Sequence, residues 1–116
     1  MLDLKYVEGW RRRFAAQQAE NQALAEAARR ALPQALEILK KYGAKRIILF
    51  GSLQRGERFH RRSDIDLAVS GIPFKNFLRA GADLMMALDW PVDLKPFEEL
   101  DEPFRALIVA NGEILY

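Results

Sequence analysis

The spacing of hydrophobic residues in the first 31 positions predicts one long helix. Residues 3–31 contain no proline and are rich in residues that favour helices, while Tyr6, Trp10 and Phe14 recur every four positions. Such a recurrence places the three aromatic rings in a stripe along one side of the helix. We expect the stripe to pack on the chain's own domain, and the alternative is an oligomer or partner surface.

The next apolar segments predict a second helix and then a buried strand. Pro33 suits the first turn of a helix that runs from Gln34 to about Tyr42, and Gly43 suits its end. The branched, apolar run RIILF at 46–50 is typical of a buried strand. A polar loop with room for one helical turn is expected at 52–62.

An alternating pattern follows the loop and predicts a second strand. In the segment DIDLAVS, Asp64, Asp66 and Ala68 fall on one face, and the apolar residues between them fall on the other. The interpretation is a strand with one buried face and one acidic face.

The remaining segments predict a helix, a strand, another helix and a short edge strand. Residues 74–90 have apolar positions at helical spacing, and their Phe and Met side chains are expected in the core. Pro91 opens a strand, VDLKPF, whose polar face carries Asp93 and Lys95. A capped helix from about Pro103 to Ala110 and the strand EILY complete an α/β arrangement.

Length and composition indicate a globular chain with one core. The 116 residues suit a single domain, 1–116, made of a helical extension at 1–31 and a core at 34–116. No apolar run approaches the ~20 residues of a membrane span, and no signal peptide is recognisable, so we expect a cytoplasmic protein. The chain has no cysteine and only one histidine, His60, so any metal site would use oxygen ligands.

The net charge of +2 conceals two halves of opposite sign. Residues 1–62 carry 14 Lys and Arg against 6 Asp and Glu, a net of +8, and residues 63–116 carry 4 against 10, a net of −6. A basic half can attract partners that carry phosphate, and an acidic half can hold divalent cations. The alternative is that these charges only solvate helix faces.

Three aspartates are candidates for a metal site. Asp64 and Asp66 project from the same side of one strand, so their carboxylates can converge on one small cation. A two-metal site for phosphoryl chemistry usually needs a third acid, and Asp93 on the next predicted strand is the candidate. Magnesium prefers such hard oxygen ligands. An isolated Asp-x-Asp pair is, however, more typical of a solvated strand face.

The residues before these acids favour a phosphate-binding role. Gly51 and Ser52 end a strand at a sharp turn, where backbone N–H groups can approach a phosphate and the hydroxyl can donate a hydrogen bond. The following loop supplies several arginines that can meet phosphate oxygens: Arg55, Arg58, Arg61 and Arg62. His60 is interpreted as a loop residue and not as a catalytic base.

Together these motifs resemble the nucleotidyltransferase superfamily that includes DNA polymerase beta, and most closely its minimal nucleotidyltransferases. That pattern is a strand ending in Gly-Ser, an Arg-Gly, about ten residues to Ser-Asp-Ile-Asp-Leu, and a third Asp on a later strand. This chain has eleven residues between Ser52 and Asp64. The resemblance covers about residues 34–97, through Gly51-Ser52, Arg55-Gly56, Ser63-Asp64-Ile65-Asp66-Leu67 and Val92-Asp93-Leu94.

The resemblance implies a nucleotidyltransferase fold, which is a small mixed sheet covered by helices. It also implies that Asp64, Asp66 and Asp93 hold two magnesium ions and catalyse the transfer of AMP from ATP. The nucleotide would contact a further set of residues: Gly51, Ser52, Arg55 and Ser63.

Small members of this branch are often antitoxins that add AMP to a tyrosine of a HEPN-type ribonuclease toxin. The resemblance therefore implies a protein adenylyltransferase whose partner is such a toxin. Two alternatives stay open: masking of the partner by contact alone, and transfer to RNA or a small molecule. A nucleic-acid-binding module is the weakest hypothesis, because the chain has no aromatic-interleaved basic strand or recognition motif.

Overall fold

The structure, a computed structural model, describes residues 3–56 and 58–116. A short 3-10 helix, Phe97–Glu99, precedes the last helix. The helices and strands follow one another as α1 (Leu4–Arg30), α2 (Leu32–Lys41), β1 (Arg46–Phe50), α3 (Gly51–Arg55), β2 (Ile65–Ser70), α4 (Phe74–Ala87), β3 (Val92–Pro96), α5 (Glu102–Asn111) and β4 (Glu113–Ile114).

The four strands form one mixed sheet in the order β3-β2-β1-β4. Strand β1 runs antiparallel to β2 and to β4, whereas β2 and β3 are parallel. The parallel pair requires a crossover, and α4 provides it. A mixed sheet with helices on its faces is the fold class that the sequence predicted.

Alternation along the strands divides the core between the two faces of the sheet. On one face Ile65, Leu67 and other buried residues pack against α2 and α4. On the other face Ile48 and Ala68 are buried beneath Ile108 of α5. The predicted acidic face of β2 is therefore acidic only near its start, because α5 covers the rest with apolar contacts.

Helix α1 confirms the predicted long helix but not the predicted packing of its stripe. Its 27 residues span about 40 Å, and among them only Ala28 is fully buried. Tyr6, Trp10 and Phe14 are 62% to 63% exposed, so the expectation that they pack on their own domain is wrong. The helix is longer than the surface that it packs on. None of the helices in the described ranges is long and apolar enough to cross a membrane.

Helix α4 also differs from its prediction. Ala80 and Leu84 face the core and Phe77 is half-buried, but the expectation that Phe74 and the two Met side chains lie in the core is wrong. Its apolar positions cover a wide arc of the helix, and only one side of that arc meets the sheet. The other side carries four side chains that are 73% to 87% exposed: Phe74, Leu78, Met85 and Met86.

The loop before β2 is more ordered than its polar composition suggested. It begins with α3, which ends at Gly56, where φ is 72°. Phe59 is buried in the core and packs on Trp90, with ring centroids 5.9 Å apart. This contact fastens the arginine-rich loop to the residues that precede β3, an anchor that the sequence analysis did not identify.

Candidate functional site

Two of the three predicted acids are direct neighbours in the sheet. Asp66 is the second residue of β2 and Asp93 the second residue of β3, and the parallel register pairs them. Asp64 lies just before β2 and is exposed, whereas Asp66 and Asp93 are half-buried. The three acids therefore meet at one edge of the sheet, which is called the carboxylate edge below.

Electrostatics at this edge disfavour the ionised form of Asp66. Its pKa is raised to about 6, first by burial and then by the neighbouring charges of Asp93 and Asp64. Lys95 and Arg55 oppose this rise because their positive charges favour the carboxylate. An additional cation would therefore stabilise the charged form of this group of acids.

Lys95 also lies at the carboxylate edge. The sequence predicted it on the polar face of its strand but gave it no role. Its ammonium Nζ lies 3.3 Å from Asp93 Oδ2. The two residues are separated by one position on β3, so their side chains share a face. That spacing was the signal available in the sequence. A lysine in this position supplies part of the positive charge that three adjacent acids require.

The backbone at Gly51 passes close to Asp66. Its φ is +77°, a conformation that side chains rarely adopt, and a Cβ built there would lie 2.0 Å from Asp66 Oδ2. Phe50 is the cross-strand partner of Asp66, so the turn into α3 passes directly beside the carboxylate. Only glycine allows this turn and the present position of Asp66 to coexist.

The other predicted nucleotide contacts lie at different distances from the acids. Ser52 is half-buried in the first turn of α3, and Arg55, at the end of that helix, is exposed but close enough to influence the pKa of Asp66. The Ser63 hydroxyl accepts a hydrogen bond of 2.9 Å from the backbone N–H of His60, and it therefore shapes the loop. Arg61 forms an ion pair with Glu20 of α1 at 3.0 Å.

The chemistry of the donors at the carboxylate edge fits a divalent cation. Asp64, Asp66 and Asp93 offer hard oxygen ligands, and their mutual repulsion would be relieved by such an ion. Over residues 3–56 and 58–116, however, no three acidic or histidine side chains already form a closed set of ligands. The carboxylates are ligands of the kind that a divalent cation prefers, but in this structure Asp93 is paired with Lys95.

A groove in the described part of the chain lies away from the three acids. This groove, of about 850 Å³, separates α1 from the end of α3, and it is lined by residues such as Phe14, Asn21, Leu53 and Arg58. It contains none of the three aspartates. The carboxylate edge is therefore the candidate site, because charged groups converge there and perturb one another's ionisation.

A mixed sheet that sets paired aspartates beside a glycine turn is the arrangement expected of a nucleotidyltransferase. Residues 34–116 match the family described as Polymerase beta, Nucleotidyltransferase. The chain belongs to this family. No curated protein matches the chain.

Solved structures agree with this assignment. A protein described as a minimal nucleotidyltransferase is 26% identical, with a TM-score of 0.66 over 76% of this chain and 92% of that chain. A toxin–antitoxin structure with AMP-PNP is 29% identical, with a TM-score of 0.61 over 70% and 68% of the two chains. A variant of the MntA–HpeT toxin–antitoxin, in which two aspartates are changed to glutamate, is 25% identical, with a TM-score of 0.62 over 72% and 70%.

These comparisons confirm the resemblance and the fold that the sequence predicted. The roles of the individual site residues stay predictions, as does the division of the chain into a helical extension and a core.

Proposed function

We propose that the protein transfers AMP from ATP to a hydroxyl of a partner protein and acts as the antitoxin of a HEPN-type ribonuclease toxin. The observation that carries the proposal is the pairing of Asp66 with Asp93 directly beside Gly51. Membership of the nucleotidyltransferase family supports the reaction class. The toxin–antitoxin neighbours, one of them with AMP-PNP, support the choice of nucleotide and partner.

The spacing of the acids gives further support. The two aspartates exchanged in the MntA–HpeT variant lie two positions apart, as Asp64 and Asp66 do here. In the proposal Asp64, Asp66 and Asp93 would hold two magnesium ions. When bound, such ions neutralise developing charge and promote attack by an oxygen nucleophile.

The chain's own residues position the reactants. The turn at Gly51 and Ser52 receives the triphosphate beside Asp66, and Arg55 and Ser63 are the further candidate contacts. Asp93 lies on the acceptor side and orients the hydroxyl. During transfer the acceptor oxygen bonds to the α-phosphorus, pyrophosphate leaves, and the hydroxyl proton is released.

The proposal is tested with labelled ATP, magnesium and the protein encoded beside this chain. We expect label on that protein, and Asp66→Asn should lower the rate at least ~100-fold because it removes one charged oxygen from the site. Asp89→Asn is the matched control, since Asp89 is exposed and lies outside the carboxylate edge. Absence of transfer by the unaltered chain, or an unchanged rate in Asp66→Asn, would refute the proposal.

A second measurement separates transfer from masking. A variant with Asp64, Asp66 and Asp93 all changed to Asn should fail to neutralise the toxin if transfer is the mechanism. Full neutralisation by that variant would assign the effect to contact alone. Label that appears in RNA or in a small molecule, and not in protein, would keep the reaction but change the acceptor.

A further inference from the structure

Lys95 brings a positive charge into direct contact with the carboxylate edge. Among the described residues it is the one basic side chain that forms an ion pair with an acid of that edge. Its Nζ lies 3.3 Å from Asp93 Oδ2, and the two side chains are only 35% and 41% exposed. Water and salt screen such a pair less than they screen a fully exposed one. The carboxylate edge therefore carries a cation of its own.

The sheet directs the ammonium of Lys95 toward the acids. The parallel register pairs Lys95 with Ala68 and Asp93 with Asp66, so the two pairs follow each other along one face of the sheet. From Ala68 onward, apolar contacts with α5 cover that face. A lysine stem can lie along apolar surface, but its ammonium needs polar partners. The ammonium consequently lies at the polar end of the face, where the acids are.

The charge of Lys95 also acts on Asp66. Burial raises the pKa of Asp66, as do the charges of Asp93 and Asp64, and Lys95 opposes that rise. Arg55 acts in the same direction, but it is exposed and forms no ion pair with these acids within the described ranges. Two half-buried carboxylates thus share one half-buried ammonium.

A divalent cation at this edge would need the carboxylate that Lys95 already contacts. A carboxylate has room for more than one partner, but an ammonium and a divalent ion on the same group repel each other strongly at short range. Either the ion binds Asp93 less tightly or Lys95 gives up its ion pair. In both cases the presence of Lys95 lowers the affinity of the edge for the ion.

We propose that Lys95 competes with a divalent cation for Asp93. Lys95 stabilises the acids while no cation is bound, and it keeps the cation affinity of the carboxylate edge low. It is therefore a positioning residue, which acts through Asp93. The inference rests on the proposed function for the cation site itself, but it requires neither a nucleotide nor a partner protein.

Manganese alone is the probe, because Mn²⁺ accepts the same oxygen ligands as magnesium. Electron paramagnetic resonance measures free Mn²⁺ at about pH 7.5, where Asp66 is mostly ionised. Lys95→Met should tighten Mn²⁺ binding at least ~10-fold, because the competing charge is lost. Lys95→Arg keeps the charge and should change the affinity less than ~3-fold. Lys75→Met, at an exposed position on α4, is the matched control with the same change in net charge, and less than ~2-fold is expected.

The variant Asp93→Asn separates competition for this carboxylate from charge acting at a distance. In that background no ion pair has to be broken, so adding Lys95→Met should tighten Mn²⁺ binding less than ~3-fold.

Thermal unfolding adds a second readout. In a chelator, Lys95→Met should lower the Tm by about 2–4 °C, because the acids lose their counter-charge. Saturating Mn²⁺ should remove this difference, whereas a general folding defect would persist.

Three results would overturn the proposal. The first is Mn²⁺ binding by Lys95→Met that is no tighter than that of the unaltered chain, and the second is an equal gain in Lys75→Met. The third is an equal gain with and without Asp93, since Lys95 would then act only through distant charge. These results leave the proposed AMP transfer untouched, because its failure would be seen in the labelling experiment with Lys95 intact.

Discussion

The carboxylate edge and the N-terminal part of α1, residues 4–18, which is called the arm below, both carry side chains on a regular element. Only at the edge do neighbouring strands fix the surroundings of those side chains. Asp66 stands in a strand that is paired on both sides, with Phe50 on β1 and Asp93 on β3 as its partners. Trp10 stands on a helix whose backbone hydrogen bonds are local, and its ring is largely exposed. Long-range strand pairing therefore fixes the surroundings of Asp66, whereas the ring of Trp10 is left largely in solvent.

The largest expected effect tests this contrast in the free energy of unfolding. Leu67→Ala removes a fully buried side chain from the strand that carries Asp66, and it should cost about 3–5 kcal/mol. Trp10→Ala removes a larger ring but should cost less than about 0.5 kcal/mol. Urea unfolding of the two variants measures both losses. Similar losses in the two variants would show that the arm packs on its own domain after all.

A glycine exchange tests how tightly the edge is built. Gly51→Ala should cost about 2–3 kcal/mol, because φ is positive and the new Cβ would force the Asp66 side chain aside. Gly56→Ala is the matched control: its φ is +72°, but a Cβ there would meet nothing within 4 Å, so about 1 kcal/mol is expected.

Calorimetry with magnesium and ATP completes that comparison. Only Gly51→Ala should weaken nucleotide binding, by at least ~10-fold, since only that change displaces an acid of the candidate site. Equal nucleotide binding by the two variants would contradict the conclusion that the Gly51 turn holds Asp66 in position.

The sequence predicted the parts of this contrast that depend on periodicity. The alternation in DIDLAVS and VDLKPF placed Asp66 and Asp93 on exposed strand faces, and their order along the chain favoured neighbouring strands. It could not supply the strand register, which pairs these two residues with each other, or the contact of Gly51 with Asp66. Both depend on how separate strands come together.

Helical periodicity has a different limit. It identified the apolar positions of α1 and α4, but the same spacing arises whether a face meets the core or another molecule. Tyr6 was consequently expected to pack on the domain and Met85 to lie in the core, and both are exposed. Phe59 shows the converse error, because a single aromatic residue in a polar loop has no period to reveal its burial.

Ionisation of Asp66 provides a smaller test of the edge. With its pKa raised from 3.8 to about 6, the folded protein binds more protons than the unfolded chain within this window. The free energy of unfolding should therefore fall as the pH rises from about 4 to about 6, by about 1–2 kcal/mol after allowance for solvent screening. Urea unfolding in a chelator measures this slope.

The control for the pH experiment is Asp66→Asn, which removes the titrating group. Its stability should vary less across the same window. A wild-type slope of the opposite sign, or an identical slope in the variant, would show that burial does not hold Asp66 in its protonated form.

The smallest expected effect concerns the ion pair that fastens the C-terminal end of α1 to the sheet. Arg29 of α1 donates to both carboxylate oxygens of Glu113 on β4, at 2.9 and 3.3 Å. The pair raises the pKa of Arg29 and lowers that of Glu113, mainly through these hydrogen bonds. Because the side chains are 40% and 42% exposed, the coupling energy should be only about 0.5–1 kcal/mol.

A double-mutant cycle with Arg29→Ala and Glu113→Ala measures that coupling at pH 7. Since the pKa of Glu113 is lowered in the folded state, the coupling should be lost as the pH falls below its ordinary value of 4.5. High salt should weaken it as well. A coupling well above 1 kcal/mol would mean that the pair holds α1 rigidly against the sheet, so long-range contacts would fix the direction of the arm as they fix the carboxylate edge. A coupling near zero would leave its orientation to the packing of Leu24, Ala25 and Ala28 and to the ion pair of Glu20 with Arg61.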